Sequence, residues 1–345
     1  MIFDYIWKSL FFSAVSGSIA LAMILVAGIA LKRVSASQRK WYFNLQILIL
    51  LTLFAGSFLL AAIDRQMLAG CFDTFVKESS SWSVTRWISA FWIAGMTILL
   101  VADAMRAYMA FTHVRSYNPV SDESLLYLFN GLKRKLGVVG PVELCVADDV
   151  HSPVASGFFK HRVIVPRNSF SELVMTSILA HELAHVRDRD SIFLALELLC
   201  RRVFFWNPLA YVFANVYALS VETAADEAAV KGVVSRSQFA SSLVEVAAAA
   251  LTPSLSPGHV PASRGYREAR ARLECLSRTP APRSLVSALM LLVLAIAPVA
   301  ISLAQAQTLT QESYDPKMCV QVKHEQLIES WLRIESTSAP KCEQK

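Results

Sequence analysis

Four apolar stretches, Leu10 to Leu31, Phe43 to Ile63, Trp87 to Tyr108 and Leu285 to Leu303, constrain this chain more than any other feature. Each matches the about 20 residues that a helix rising about 1.5 Å per residue needs to cross a bilayer. Backbone in hydrocarbon must satisfy its own hydrogen bonds, so runs of this length read as transmembrane helices. With 54% hydrophobic and 17% charged residues over 345 positions, the chain is too apolar for an ordinary soluble enzyme. The expected fold class is a mainly α, multi-pass membrane protein with four transmembrane helices and an α+β domain between spans three and four.

Charge order sets the orientation. Asp4 precedes the first stretch and Lys32, Arg33, Arg39 and Lys40 follow it, the reverse of a cleavable signal peptide. The basic loop is expected in the cytoplasm, which puts the N-terminus outside, the loop Asp64 to Arg86 outside and the segment from about 111 to 283 inside. That segment ends in Arg264, Arg267, Arg270, Arg272, Arg278 and Arg283. The expected division is a three-span membrane domain over 1–112, a cytoplasmic domain over 113–283, a fourth span over 284–304 and an extracytoplasmic tail over 305–345. The net charge of +6 gathers beside a span, so orientation and contact with anionic lipid explain it. No zinc-finger spacing, phosphate loop or helix-turn-helix is present, and no direct nucleic-acid partner is expected.

The chemistry lies in His181-Glu182-Leu183-Ala184-His185. Residues four apart share a helical face, so both imidazoles can bind one metal ion. Glu182, one step around, can reach a water held there and act as general base in peptide hydrolysis. The approach, Ser169 to Ala180, reads as an amphipathic helix with Ser169 or Ser171 as N-cap and Glu172 in its first turn. Hydrolytic zinc sites keep three protein ligands and one open position. Glu222 is the best third ligand: it shares a face with Asp226 at i and i+4, so Asp226 can accept a hydrogen bond from the outer nitrogen of a ligand histidine.

These residues resemble the BlaR/MecR-type antirepressor membrane zinc peptidases. The resemblance runs through Ser152 to Pro166, Ile178 to Asp190, Phe205-Trp206-Asn207-Pro208-Leu209 and Glu222 to Asp226, in the family's order and spacing. It implies a zincin-like metalloprotease domain, with zinc ligands on His181, His185 and Glu222 and the catalytic base on Glu182. Asp190 matches the acidic residue the family places after the motif. The family often has Cys before the last aspartate and Arg shortly before the glutamate, where this chain has Ala225 and Tyr217-Ala218-Leu219-Ser220. Its best-known members trigger removal of a transcriptional repressor. Many end in a large penicillin-binding sensor, which a tail of 305–345 is too short to hold, so β-lactam sensing by that route is not expected.

Elsewhere, Val142 to Val146 and Arg162 to Val165 read as strands. A strand just ahead of the zinc helix could offer its edge to an extended peptide, which makes Val163, Ile164 and Val165 substrate-strand candidates. From Ser191 to Val221 two packed helices broken at Asn207-Pro208 are expected, with a hairpin dipping into the bilayer as the alternative. Thr252 to Gly265 reads as a polar loop. Cys145, Cys200 and Cys275 fall on the cytoplasmic side and should stay reduced, whereas Cys71, Cys319 and Cys342 fall outside, where a Cys319 to Cys342 bridge is one pairing. Ala304-Gln305-Ala306 at the end of the fourth stretch also resembles a cleavage site, though small residues are common at span ends.

The reading is an integral-membrane zinc endopeptidase of the bacterial cytoplasmic membrane, cleaving a cytoplasmic protein or itself in signal-responsive regulation. Its expected cofactor is Zn2+, and its expected partners are a protein substrate, such as a cytoplasmic repressor, and membrane lipid. The alternatives are a quality-control peptidase of the HtpX or prenyl-protein type and a signalling scaffold that no longer cuts.

Overall fold

The computed structural model describes residues 14, 17–28, 31, 34–72, 84–150, 153–158, 160–167, 170–250 and 262–277. The chain is mainly helical. An apolar helix α1 (Gly17–Gly28) precedes α2 (Ala36–Phe72) and α3 (Val84–Arg115), followed by strand β1 (Asn118–Pro119), helix α4 (Glu123–Leu136) and strands β2 (Val142–Ala147), β3 (Val154–Ser156) and β4 (His161–Pro166). Five helices complete it: α5 (Glu172–Asp188), α6 (Asp190–Val203), α7 (Pro208–Gly232), α8 (Arg236–Ala250) and α9 (Ala262–Ser277).

Among the described residues, one helix is long and apolar enough to cross a membrane, Trp87–Arg115 within α3. Its Phe91, Ile98, Val101, Met105 and Met109 are exposed, an outward apolar face that suits lipid better than water. The second expected span lies inside α2, whose 37 residues run well past Ile63. The first overlaps α1. The fourth, with the tail and its Cys319 and Cys342, lies outside the described residues.

Among the described residues two large cores carry most of the buried apolar surface, beside a small one of Cys145, Ala147 and Ile164. In the first, Leu21 and Ile24 of α1 and Phe43 and Ile47 of α2 pack on Cys200 of α6 and Phe213 and Tyr217 of α7. In the second, Phe129 and Leu132 of α4, Val163 and Val165 of β4, and Leu179 and Leu183 of α5 pack with Ala229 and Phe239. Helix α7 belongs to both, which places its C-terminal half, with Glu222 and Asp226, beside α5. Its start is fixed by Asn207, whose Oδ1 accepts from Leu209 N at 2.9 Å, with Pro208 in the first turn.

The sheet has the order β1-β2-β4-β3, with β2 and β4 parallel and the other pairings antiparallel. This corrects one expectation. β4 carries Val163, Ile164 and Val165, but it is paired on both sides and these residues are 0%, 0% and 1% exposed. An apolar run without alternation is the mark of a strand covered on both faces, so they build core and have no edge to offer. The edge strands are β1 and β3, and it is β3 that covers the outer side of β4. The turn joining β3 to β4 depends on Gly157, whose φ of 108° and close approach to the Lys160 carbonyl leave no room for a Cβ.

Helix α5 starts where Ser171 Oγ accepts from Val174 N at 3.4 Å, so Ser171 rather than Ser169 is the cap. It ends at Arg189, a non-glycine residue in the left-handed region with φ of 56°, which costs about 1–2 kcal/mol. The strained corner lets α6 begin at once, at Asp190. The expected loop Thr252 to Gly265 also gives way at its end, because α9 already begins at Ala262. Ala, Arg and Glu, all strong helix formers, dominate from that point and carry the helix through Gly265.

Candidate metal centre

His181 and His185 lie on the buried face of α5, one turn apart, with ring centroids 4.7 Å apart and planes at 89°. Their Nε2 atoms are 3.1 Å from each other. Glu222, from α7, faces both: Oε2 is 3.3 Å from His181 Nε2 and Oε1 is 3.8 Å from His185 Nε2. One donor atom from each of the three residues lies within 4.8 Å of the others. Two donors about 2.05 Å from one ion at the tetrahedral angle would be about 3.3 Å apart, close to what the chain provides.

The outer nitrogens explain why this arrangement asks for a cation. His181 Nδ1 is 2.9 Å from Asp226 Oδ1 and His185 Nδ1 is 2.8 Å from Asp190 Oδ2. Ionised carboxylates only accept, so each Nδ1 carries the hydrogen and each Nε2 of a neutral ring presents a lone pair. Two lone pairs and the Glu222 carboxylate then converge with no donor among them. A bound metal resolves that repulsion, and the N/O donor set suits zinc and other borderline divalent ions. Without metal, a proton fills the same role. Burial and the Arg272 charge oppose protonation of His181, but hydrogen bonds to Asp226 and Glu222 outweigh them and raise it to about 10. Burial works equally against the charge on Glu222 and Asp226, yet the His181 hydrogen bond and the nearby charges of His181 and Arg272 hold both carboxyls below their ordinary values.

Sequence reasoning missed two residues at this site. Arg272, on α9, donates through Nε (2.9 Å) and Nη2 (2.5 Å) to Asp226, and its Nη1 is 3.1 Å from Glu222 Oε2. Read from sequence it was one of six arginines marking a cytoplasmic membrane flank. The structure corrects this, since α9 packs back on α7 and α8 and buries the guanidinium on the two carboxylates. Lys40, at the start of α2, likewise pairs with Asp188 and Asp190. No spacing rule could have revealed either contact, because both join segments far apart in the chain.

A cavity of about 370 Å³ opens on this cluster, with Glu182 in its wall next to both histidines. Leu194, Leu243, Val246 and Phe239 give it an apolar lining, and Val154 and Ala155 of the edge strand border it. Val163, Ile164 and Val165 do not reach it. Cys145, Cys200 and Cys275 are free thiols, and none of them lines the cavity.

Residues 52–276 match the family described as BlaR1 peptidase M56. The chain is also 25% identical over 162 residues to the regulatory protein BlaR1 of Bacillus licheniformis, an alignment covering 46% of this chain and 27% of that protein. The chain thus spans about a quarter of that relative's length. The family match takes in α3, the sheet and the helices that bring His181, His185 and Glu222 together: the chain belongs to the BlaR1 peptidase M56 family of membrane-associated metallopeptidases.

Proposed function

We propose that this chain is a multi-spanning zinc endopeptidase whose catalytic domain, residues 113–283, faces the cytoplasm between a three-span domain (1–112) and a fourth span (284–304). The observation that carries the reading is the convergence of His181, His185 and Glu222 at one end of a cavity that also exposes Glu182. When bound, zinc would supply Lewis-acid polarisation of the scissile carbonyl and lower the pKa of the attacking water. His181, His185 and Glu222 would hold the ion. Asp226 and Asp190 fix the two rings through their Nδ1 hydrogens. Glu182 takes the proton from the water and passes it to the leaving amine.

The substrate is a protein, taken as an extended segment. β3 ends the sheet, so its outer edge can pair with such a segment through main-chain hydrogen bonds. Residues Val154 to Ser156 would then take the place first assigned to Val163, Ile164 and Val165. Leu194, Leu243 and Val246 would receive an apolar side chain beside the scissile bond. The role in the cell is signal-responsive cleavage, with a cytoplasmic repressor or the chain itself as substrate. The test is comparative proteomics of cells carrying wild type or Glu182→Gln, with the full chain in its membrane. A protein that accumulates intact only in the variant supports the reading. Identical proteomes and normal signalling in the variant would favour a scaffold that does not cut, and broad accumulation of misassembled membrane proteins would favour quality control.

A further inference from the structure

Helix α2 reaches the surroundings of the metal cluster through three residues of its first turn and a half, Ser37, Arg39 and Lys40. Ser37 N donates to Glu227 Oε2 at 3.0 Å, and Arg39 Nη2 donates to Thr223 Oγ1 at 3.0 Å, next to Glu222. Lys40 Nζ donates to Asp188 Oδ2 at 2.5 Å and to Asp190 Oδ1 at 3.0 Å. Lys40 Nζ also reaches Asp190 Oδ2 at 3.3 Å, the oxygen that accepts from His185 Nδ1 at 2.8 Å. Lys40 is only 5% exposed and Asp190 1%.

An ammonium this deep is strongly disfavoured unless carboxylates face it, and here the two that face it stand on either side of the Arg189 corner. Lys40 spans both oxygens of Asp190, and His185 is held by one of them, so the ammonium grips the carboxylate from the side away from the ring. A carboxylate held at both oxygens cannot turn about its own bond. Held only by His185, it could turn, and the ring it orients would turn with it. We infer that Lys40 is a positioning residue for the metal centre, fixing His185 through Asp190 and making metal affinity depend on where the start of α2 sits. This rests on the proposed metal centre. Because α2 is one continuous helix from Ala36 to Phe72 and contains the second apolar stretch, a shift of that stretch along or around its axis is carried directly to Lys40. The site therefore responds to the membrane segment without any change in its ligands.

The test uses the full chain in detergent or nanodiscs. Zinc affinity is measured by competition with a chromophoric chelator, and ligand geometry by the visible absorption of the cobalt-substituted protein. Lys40→Met should weaken zinc about 10 to 100-fold, the range for losing an outer hydrogen-bond partner of a ligand, and shift the cobalt bands, while Lys40→Arg should recover most of both. In an Asp190→Asn background, Lys40→Met should add little, because the route through Asp190 is already cut. Asp188→Asn, which removes the other carboxylate on Lys40 without touching His185, should bind zinc as wild type does. The pair Lys40→Met with Asp188→Asn, which leaves less uncompensated charge, should fold and still show the full loss of affinity. Wild-type affinity and cobalt bands in folded Lys40→Met would overturn the inference, as would an equal loss in Asp188→Asn. Failure of wild type to bind one zinc per chain would strike at the metal centre itself and leave the role of Lys40 without a site.

Discussion

Asp226 offers the sharpest single perturbation, because one atom change separates its charge from its shape. The carboxylate, 1% exposed, accepts from His181 Nδ1 and from two nitrogens of Arg272. In Asp226→Asn the amide oxygen can still accept, but Arg272 meets both oxygens, so the NH2 faces the guanidinium in either orientation, donor against donor. Breaking a buried ion pair by removing one partner costs about 3–5 kcal/mol. Arg272 keeps Glu222 at 3.1 Å, so the lower end, about 3 kcal/mol, is expected. For a domain of this size that lowers the melting temperature by about 6–12 °C. Zinc affinity should fall about 10 to 100-fold as His181 loses its anchor. Thermal unfolding of the metal-free protein and chelator competition read the two effects separately. Adding Arg272→Met should restore part of the melting temperature, since it removes the stranded charge, without restoring zinc affinity. A variant Asp226→Asn that melts within a degree or two of wild type and binds zinc equally well would refute the assignment of Asp226 as the support of His181.

Glu182→Gln should keep its zinc and lose about 10² to 10⁴-fold in peptide cleavage, since the amide keeps the shape but cannot take the proton; metal analysis beside a single-turnover cleavage assay checks it. His181, raised to about 10 without metal, should release about one proton on zinc binding at pH 8, measurable by calorimetry in buffers of different ionisation enthalpy, and zinc affinity should climb with pH through the neutral range. In the metal-free protein the same group adds stability that is full below its unfolded value of about 6.5 and is lost as pH rises through about 10, so melting temperature should fall over that window. Membrane-impermeant thiol labelling from outside intact cells should miss Cys275 and reach the tail cysteines after reduction. Labelling of Cys275 from outside would overturn the four-span arrangement.

How much could be read in advance follows from the range of each interaction. His181, Glu182 and His185 announce themselves because a helix turns four residues into one face, and Glu222 with Asp226 does so for the same reason. Two of the four strands were also legible, read as Val142 to Val146 and Arg162 to Val165, short apolar segments of which the second lies between Gly157 and Pro166. What failed was pairing. Nothing local to Val163-Ile164-Val165 says that β3 will cover its outer side, although its lack of alternation hinted at full burial. Arg272 and Lys40 were visible only as positive charge beside apolar stretches, because the carboxylates they meet are 46 and 50 positions away for Arg272 and 148 and 150 for Lys40. Arg189 shows the same limit: its left-handed turn is imposed by the need to return Asp190 to His185, against the residue's own preference.

The central claim is that His181, His185 and Glu222 together hold one zinc ion. Its most direct test is the zinc content of the purified full chain, wild type against Glu222→Ala, after dialysis against a weak chelator and with folding checked by circular dichroism. The account predicts one zinc per wild-type chain and essentially none in the folded variant. One zinc in Glu222→Ala would contradict it and move the third ligand elsewhere, although the other carboxylates of that helix are already engaged, Asp226 by His181 Nδ1 and Arg272 and Glu227 by Ser37 N.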